Sequence, residues 1–171
     1  MNSPTQEKLT AEDAYYYARD IIKGCWEQGE AIIATAPEYA YNYAYDIIKG
    51  RWELGEPIIA TNPECAYYYA RCIIKGCWEQ GEAIMATSPQ WAYRYAYNVI
   101  KGRFELGEAA IVTESWFTYM YVNHILEFDP KYMDFYEQCF HNKTLDIHQL
   151  PQYLQDEPDI QVAYFRARIL V

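Results

Sequence analysis

The chain has 171 residues, a net charge of −10 and 51% hydrophobic residues. That is one domain's length with enough apolar residues to bury a core, and it is too acidic to take free nucleic acid, whose phosphates need a basic face. No apolar run approaches the ~20 residues of a membrane span, and the start MNSPTQEKLT lacks the basic and apolar parts of a signal peptide, so the cytoplasm is the expected compartment.

In chain order, residues 1–9 read as a short arm, residues 10–114 as four tandem repeats, and residues 115–171 as a degenerate repeat helix with a C-terminal cap. The period is 26 residues. Ala14, Ala40, Ala66 and Ala92 align, as do Tyr17, Tyr43, Tyr69 and Tyr95, and a Lys-Gly pair recurs at 23–24, 49–50, 75–76 and 101–102. Trp26, Trp52, Trp78 and Phe104 follow, each with a Gly-Glu pair three residues on. A unit this small cannot bury its own apolar face, whereas stacked copies can. The expected fold is therefore all-α, a short α-solenoid of four 26-residue helix-turn-helix repeats plus a degenerate fifth and a C-terminal helical cap.

Local signals agree with that reading. Thr10 and Asp13 form a variant capping box, and Asn62 and Ser88 are N-cap residues before a proline at the first helical position. The long helix is expected to end at Lys-Gly, a cation in the last turn and glycine past it. A short helix follows, from Glu27 to Thr35 in the first repeat. Gly29 is unfavourable inside it, and its recurrence points to close packing. At about 100° per residue, Ala14, Ala18, Ile21 and Ile22 share the core face, with Tyr15 and Tyr17 on its flanks.

The opposite face varies among copies. Tyr16 becomes Asn42, Tyr68 and Arg94, and Arg19 becomes Tyr45, Arg71 and Tyr97. Repeats one and three share Arg19/Arg71 and Cys25/Cys77. Repeats two and four carry Tyr45/Tyr97 and Arg51/Arg103, so the duplicated unit is 52 residues. The alternation lays a checkerboard of Tyr and Arg, the residue types enriched at binding hot spots, on one exposed face. The candidate binding residues are thus Tyr16, Arg19, Asn42, Tyr45, Tyr68, Arg71, Arg94 and Tyr97.

Two glutamates recur in each short helix. Glu27, Glu53, Glu79 and Glu105 form one row, Glu30, Glu56, Glu82 and Glu108 the other. A catalytic centre is singular, so carboxylates present in every copy are read as structural, the second row accepting hydrogen bonds from tyrosine hydroxyls or capping a neighbouring helix. The first row, with Asp156, Glu157 and Asp159, is the basis of an alternative reading given below.

Beyond the repeats, residues 115–126 read as a fifth long helix that keeps Tyr119, Tyr121 and Val122 in register. Asp129-Pro130 opens a helix to about Phe140, and residues 145–154 read as loop plus short helix. Asp156 or Asp159 would cap a last helix, although the alternation Ile160, Val162, Tyr164 also permits a strand. The cysteines, Cys25, Cys65, Cys72, Cys77 and Cys139, are odd in number and lack a CxxC pair, so reduced thiols are expected. Cys139 and His141 have no second pair of ligands. Neither a cofactor nor a metal site is expected, no nucleophile or phosphate-loop motif occurs, and the chain reads as no enzyme.

The string AYNYAYDIIKGRWELGE (40–56) resembles tandem short helical-repeat proteins of bacteriophages. The resemblance covers residues 12–113, and Cys25 and Cys77 depart from it where arginine is usual. It implies a phage context and a host-cell cytoplasm, and it transfers no catalytic or ligand-binding residue. The resulting expectation is a non-enzymatic protein-binding repeat, an inhibitor that binds and blocks a host (defence) enzyme, with a protein partner and no direct nucleic acid or membrane. One alternative is an acidic nucleic-acid mimic in which Glu27, Glu53, Glu79, Glu105 or the acidic tail occupies the groove of a nucleic-acid-binding protein. Another is a nucleotide sponge using Arg51 and Arg103 beside Trp52 and Phe104. Self-association as a homo-oligomer is the last.

Overall fold

A computed structural model describes residues 9–169, and every regular element among them is a helix. The arm expected at residues 1–9 lies, apart from Leu9, outside the described residues. The chain divides into two compact halves, residues 1–81 and 82–171. The N-terminal half contains α1 (Ala11–Tyr16), α2 (Glu27–Ile33), α3 (Pro37–Asn42), α4 (Glu56–Ile59) and α5 (Pro63–Tyr68). The division falls within α6 (Glu79–Met85). The C-terminal half contains α7 (Pro89–Tyr95), α8 (Glu105–Ile111), α9 (Ser115–Tyr121), α10 (Met133–His141), α11 (Gln152–Gln155) and α12 (Pro158–Ile169). Long and short helices alternate, and within each half the long helices of successive repeats stack side by side.

The stacking rests on the invariant alanines. Ala14, Ala18, Ala40, Ala44, Ala66, Ala70, Ala92 and Ala96 are all 0% exposed, and their small side chains let neighbouring helices approach. The capping box at Thr10 forms, with Asp13 N–H donating to Thr10 Oγ1 at 3.1 Å and Thr10 N–H donating to Asp13 Oδ2 at 3.2 Å. Asn62 caps α5 by accepting from Glu64 and Cys65 N–H. Ser88 stands at the N-cap of α7 but its side chain makes no capping bond.

Each long helix changes winding halfway. Tyr17–Ile22, Tyr43–Ile48, Tyr69–Ile74, Ala96–Ile100 and Val122–Leu126 are π-helical. A π turn bonds i to i+5 and so adds a residue to the register. An apolar stripe counted at 3.6 residues per turn therefore slips off the core after Ala18. Ile21 and Ile22 are exposed, and Ile47, Ile48, Ile73 and Ile74 are only half-buried. Tyr43, Tyr69, Tyr95 and Tyr121, expected on a flank, are fully buried instead.

The helix ends also differ from expectation. Lys23, Lys49, Lys75 and Lys101, not the glycines after them, take the left-handed conformation, with φ of 56–59°, and no glycine among the described residues has positive φ. Lys23 N–H bonds to Ala18 O, five residues back, and Gly24 N–H reaches the same carbonyl at 3.2 Å. The wide last turn brings both N–H groups over one carbonyl and pushes the reversal onto lysine.

The C-terminal part is helical. Val122–Leu126 closes the fifth long helix, and Asp129 opens a short 3₁₀ turn, Pro130–Tyr132, by accepting from Lys131 N–H at 3.0 Å. The 3₁₀ turn leads into α10, whose Phe135 ring lies 5.2 Å from that of Tyr121. Residues 158–169 are a helix and not a strand. Ile160, Ala163 and Tyr164 are buried at helical spacing while Val162 is exposed. This α12 packs on α10, with Phe140 edge-on to Tyr164 at 5.2 Å.

Candidate functional site

Two rows of tyrosine hydroxyls fix each repeat to its neighbour and set the face between them. The buried row points backward. Tyr43 Oη accepts from Trp26 N–H at 2.8 Å and donates to Glu30 Oε1 at 3.0 Å. Tyr69 does the same with Trp52 N–H and Glu56, and Tyr121 with Phe104 N–H and Glu108. Tyr95 donates to Glu82 at 2.8 Å. The hydroxyl-to-carboxylate bonds expected for the recurring glutamates are therefore present in four places. Tyr17, at the same position in the first of these repeats, is 42% exposed.

The joint is polar, with its tyrosine ring fully buried and its carboxylate buried at Glu56 and Glu108 and half-buried at Glu30 and Glu82. Burial, countered by the Trp52 N–H and reinforced by the Glu56 charge, pushes the Tyr69 phenol up to about 12. Burial likewise raises Tyr43 and Tyr121. In repeats two and four an arginine completes the joint. Arg51 donates twice to Glu56 at 2.9 and 3.0 Å, and Arg103 twice to Glu108 at 2.7 and 2.8 Å and once to Asp134 at 2.6 Å. Cys25 stands at that position in the first repeat, and Glu30 is bonded there by Tyr43 alone among the described residues. Both guanidinium groups proposed for a nucleotide sponge are thus committed to carboxylates.

The outer row points forward. Tyr15 donates to Asp46 at 2.5 Å, Tyr41 lies near the Cys72 thiol, and Tyr93 shares a hydrogen bond of 2.9 Å with His124 Nδ1. Burial first, then the Asp46 hydrogen bond, raises Tyr15. These rings support the variable face. Four residues after each stands either arginine or tyrosine, and either one lies on the ring before it. Arg19 sits 5.4 Å over Tyr15 and 4.5 Å over Tyr16, and Arg71 bonds the Tyr67 hydroxyl at 3.1 Å. Tyr45 stacks on Tyr41 at 5.8 Å, and Tyr97 on Tyr93 at 5.9 Å.

All eight candidate residues are surface residues. Tyr16, Arg19, Tyr45, Arg71 and Tyr97 are exposed; Asn42, Tyr68 and Arg94 are half-buried. In the N-terminal half they fall into two aromatic clusters, Tyr15/Tyr16/Tyr39 with Arg19, and Tyr41/Tyr45/Tyr67/Tyr68 with Arg71. In the C-terminal half Arg94 covers Trp91 at 4.8 Å, and Tyr93, Tyr97, Phe117 and His124 form one group. Sequence reasoning missed Tyr39, Tyr41, Phe117 and His124, which support this surface. The signal for His124 was the 31-residue spacing between outer tyrosine and hydrogen-bond partner, one period plus five; Tyr39 and Phe117 share instead a 24-residue spacing from Tyr15 and Tyr93.

The alternative acidic residues are also at the surface. Glu27, Glu53, Glu79, Glu105, Asp156 and Asp159 are exposed and Glu157 is half-buried. Cys25 and Cys77 are exposed, Cys65 and Cys139 buried, and no disulfide joins them. Among the described residues no group of three or more His, Cys, Asp or Glu side chains could hold a metal ion, and no helix is long and apolar enough to cross a membrane. No family model, curated protein or solved structure matches the chain.

Proposed function

We propose that the chain is a non-enzymatic protein-binding repeat whose Tyr/Arg face docks on a protein partner, and that it serves a bacteriophage as an anti-defence inhibitor that blocks a host enzyme. The observation that supports this reading is the two-layer build of the face. Exposed Tyr45 and Tyr97 and exposed Arg19 each rest on a tyrosine ring of the outer row. Two of those supporting rings, Tyr15 and Tyr93, are themselves hydrogen-bonded to the next repeat. Large side chains held this way lose little rotamer freedom on binding, which removes one of the costs of forming an interface.

The test is capture from nuclease-treated bacterial lysate with low-salt and then high-salt washes, using wild type and a Tyr45→Ala/Arg71→Ala/Tyr97→Ala variant. The expected result is one stoichiometric protein retained at high salt and lost by the variant, whose circular dichroism melt matches wild type. A loss of at least about 2 kcal/mol, some 30-fold, is the scale of interface hot spots. Full retention by the variant defeats the assignment of the face. A basic partner released by salt transfers the function to the row Glu27, Glu53, Glu79, since charge pairing of that kind is screened.

A further inference from the structure

One position in the array changes its chemistry from copy to copy. At the place of Cys65, the second, fourth and fifth repeats carry the rings Tyr39, Trp91 and Phe117, and the first carries Asp13. Tyr39 fills the junction with the helix before it, 5.9 Å from Tyr15 and 6.5 Å from Tyr16. Phe117 fills the equivalent place beside Tyr93 at 6.1 Å. A thiol in place of a ring leaves that volume empty. Between α3 and α5 there is indeed a groove of about 340 Å³, with buried Cys65 at its base.

The lining has a definite chemistry. Tyr41 and Tyr68 form aromatic walls, their centroids 6.1 Å apart and their planes 34° from parallel. Exposed Glu38 and Glu64 stand at the opening, with the amides of Asn42 and Asn62, and no lysine or arginine contributes. Both carboxylates act on the base of the groove. Burial, then the charges of Glu64 and Glu38, push the Cys65 thiol up to about 11. The start of α5 would otherwise attract an anion, but Asn62 Oδ1 already accepts the N–H groups of Glu64 and Cys65, at 3.0 Å each. Negative potential and π faces together select a cation, and a flat one suits two inclined rings best.

We infer that the groove between α3 and α5 receives a guanidinium group, carried by an arginine of the protein partner. The source of the arginine rests on the protein-binding reading above; the cation chemistry of the groove does not. Asn42 and Tyr68 belong both to the groove and to the candidate face, so an arginine entering here would fix the register of a partner lying across that face. The inserted group would lie against the exposed parts of the Tyr41 and Tyr68 rings and take its ion-pair partners from Glu38 and Glu64.

The experiment is an NMR titration of protein carrying ¹³C-labelled tyrosine, with N-acetyl-arginine amide, the uncharged N-acetyl-citrulline amide, and a short peptide with one central arginine. The expected result is a saturable shift confined to Tyr41 and Tyr68, with citrulline at least about tenfold weaker, the loss of one cation–π and ion-pair contribution. The peptide should bind more tightly than the free amide. Glu38→Gln/Glu64→Gln, both at exposed positions, should weaken the shift while the melting curve stays put, and Cys65→Tyr should abolish it by restoring the missing ring. Equal response to citrulline, a shift that survives in Cys65→Tyr, or no shift at tens of millimolar overturns the inference. An arginine amide that binds as tightly as the peptide overturns the partner as the source and leaves a small guanidinium compound in its place. Partner capture that depends on Tyr45, Arg71 and Tyr97 but ignores Glu38→Gln/Glu64→Gln overturns the groove and leaves the protein-binding reading standing.

Discussion

A single hydroxyl carries each joint of this protein. Tyr69 Oη sits between the Trp52 N–H and the Glu56 carboxylate, both buried. Tyr69→Phe strands that N–H and removes one partner of the carboxylate, which should cost about 1–3 kcal/mol in urea denaturation. Tyr17→Phe, at an exposed ring, should change stability by less than about 0.5 kcal/mol. The reverse operation is available at Cys25. Cys25→Arg would give Glu30 the cation that Glu56 has in Arg51, for a gain of about 0.5 kcal/mol that high salt reduces. The Tyr–Glu bond was legible in the sequence because both residues recur in every copy at fixed spacing, which no surface requirement explains. The groove at Cys65 was not, since a position that reads Asp13, Tyr39, Cys65, Trp91 and Phe117 from copy to copy looks like a variable surface site.

At the scale of the helix, the five π turns are the feature that periodicity could not reveal. No residue type marks a π turn, and a stripe counted at 3.6 residues per turn assumes that none occurs. Ile21 and Ile22 were placed in the core for that reason, and Lys23-Gly24 looked like a helix ended by glycine. The lysines hold a conformation that costs a side-chain-bearing residue about 1–2 kcal/mol. Lys49→Gly should therefore stabilise the protein by up to about 1 kcal/mol, read as a shift in the denaturation midpoint. Gly50→Ala should be harmless, because a Cβ there meets nothing within 4 Å. Gly55→Ala should not: its Cβ would fall 2.2 Å from Cε3 of the Trp52 indole, which is only 6% exposed. A cost of about 1–3 kcal/mol is expected, as for other overpacked sites. The close approach read from the recurring glycine is thus present, but it is made chiefly by the aromatic ring three residues earlier, an indole in three repeats and Phe104 in the fourth. In Gly81 and Gly107 the alanine of a long helix adds to it, at 3.2 and 2.7 Å. Nothing in the structure explains the glycine that follows each lysine.

For the molecule as a whole, buried phenols make alkali the revealing perturbation. In the unfolded chain tyrosine ionises near pH 10, while in the folded protein Tyr69 is held up to about 12 and Tyr43, Tyr121 and Tyr136 are raised as well. The folded state then binds more protons than the unfolded state above pH 10, so stability is complete below that value and falls as pH rises from there through the folded values. The tyrosinate absorbance contributed by the buried phenols should appear together with the loss of far-UV circular dichroism between about pH 10 and 12, as one cooperative step. Ionisation of Tyr69 ahead of unfolding, read from its loss in Tyr69→Phe, would show that the joint opens without unfolding. The all-α repeat was readable from one sequence because its copies served as their own alignment: the constant Ala14 and Ala18 rows are core and the Tyr43 row is joint, although the equally constant Lys23 and Glu27 rows are exposed. The C-terminal part has no copies to compare, and there the strand alternative at Ile160, Val162 and Tyr164 was decided only by which side chains are buried.

The constancy of the joint has a consequence for ancestry. Tyr43, Tyr69, Tyr95 and Tyr121 address their glutamates through one and the same spacing of 13 residues. Unequal recombination that removes a whole period leaves matching ends, so copy number is free to drift while every seam stays sealed. The surface is not so indifferent. Because Arg19 and Arg71 alternate with Tyr45 and Tyr97, losing two copies preserves the order of the face, whereas losing one sets two like faces side by side. Lineages under selection for what they bind should therefore gain and lose copies in pairs, and lineages released from it should show odd numbers as often as even.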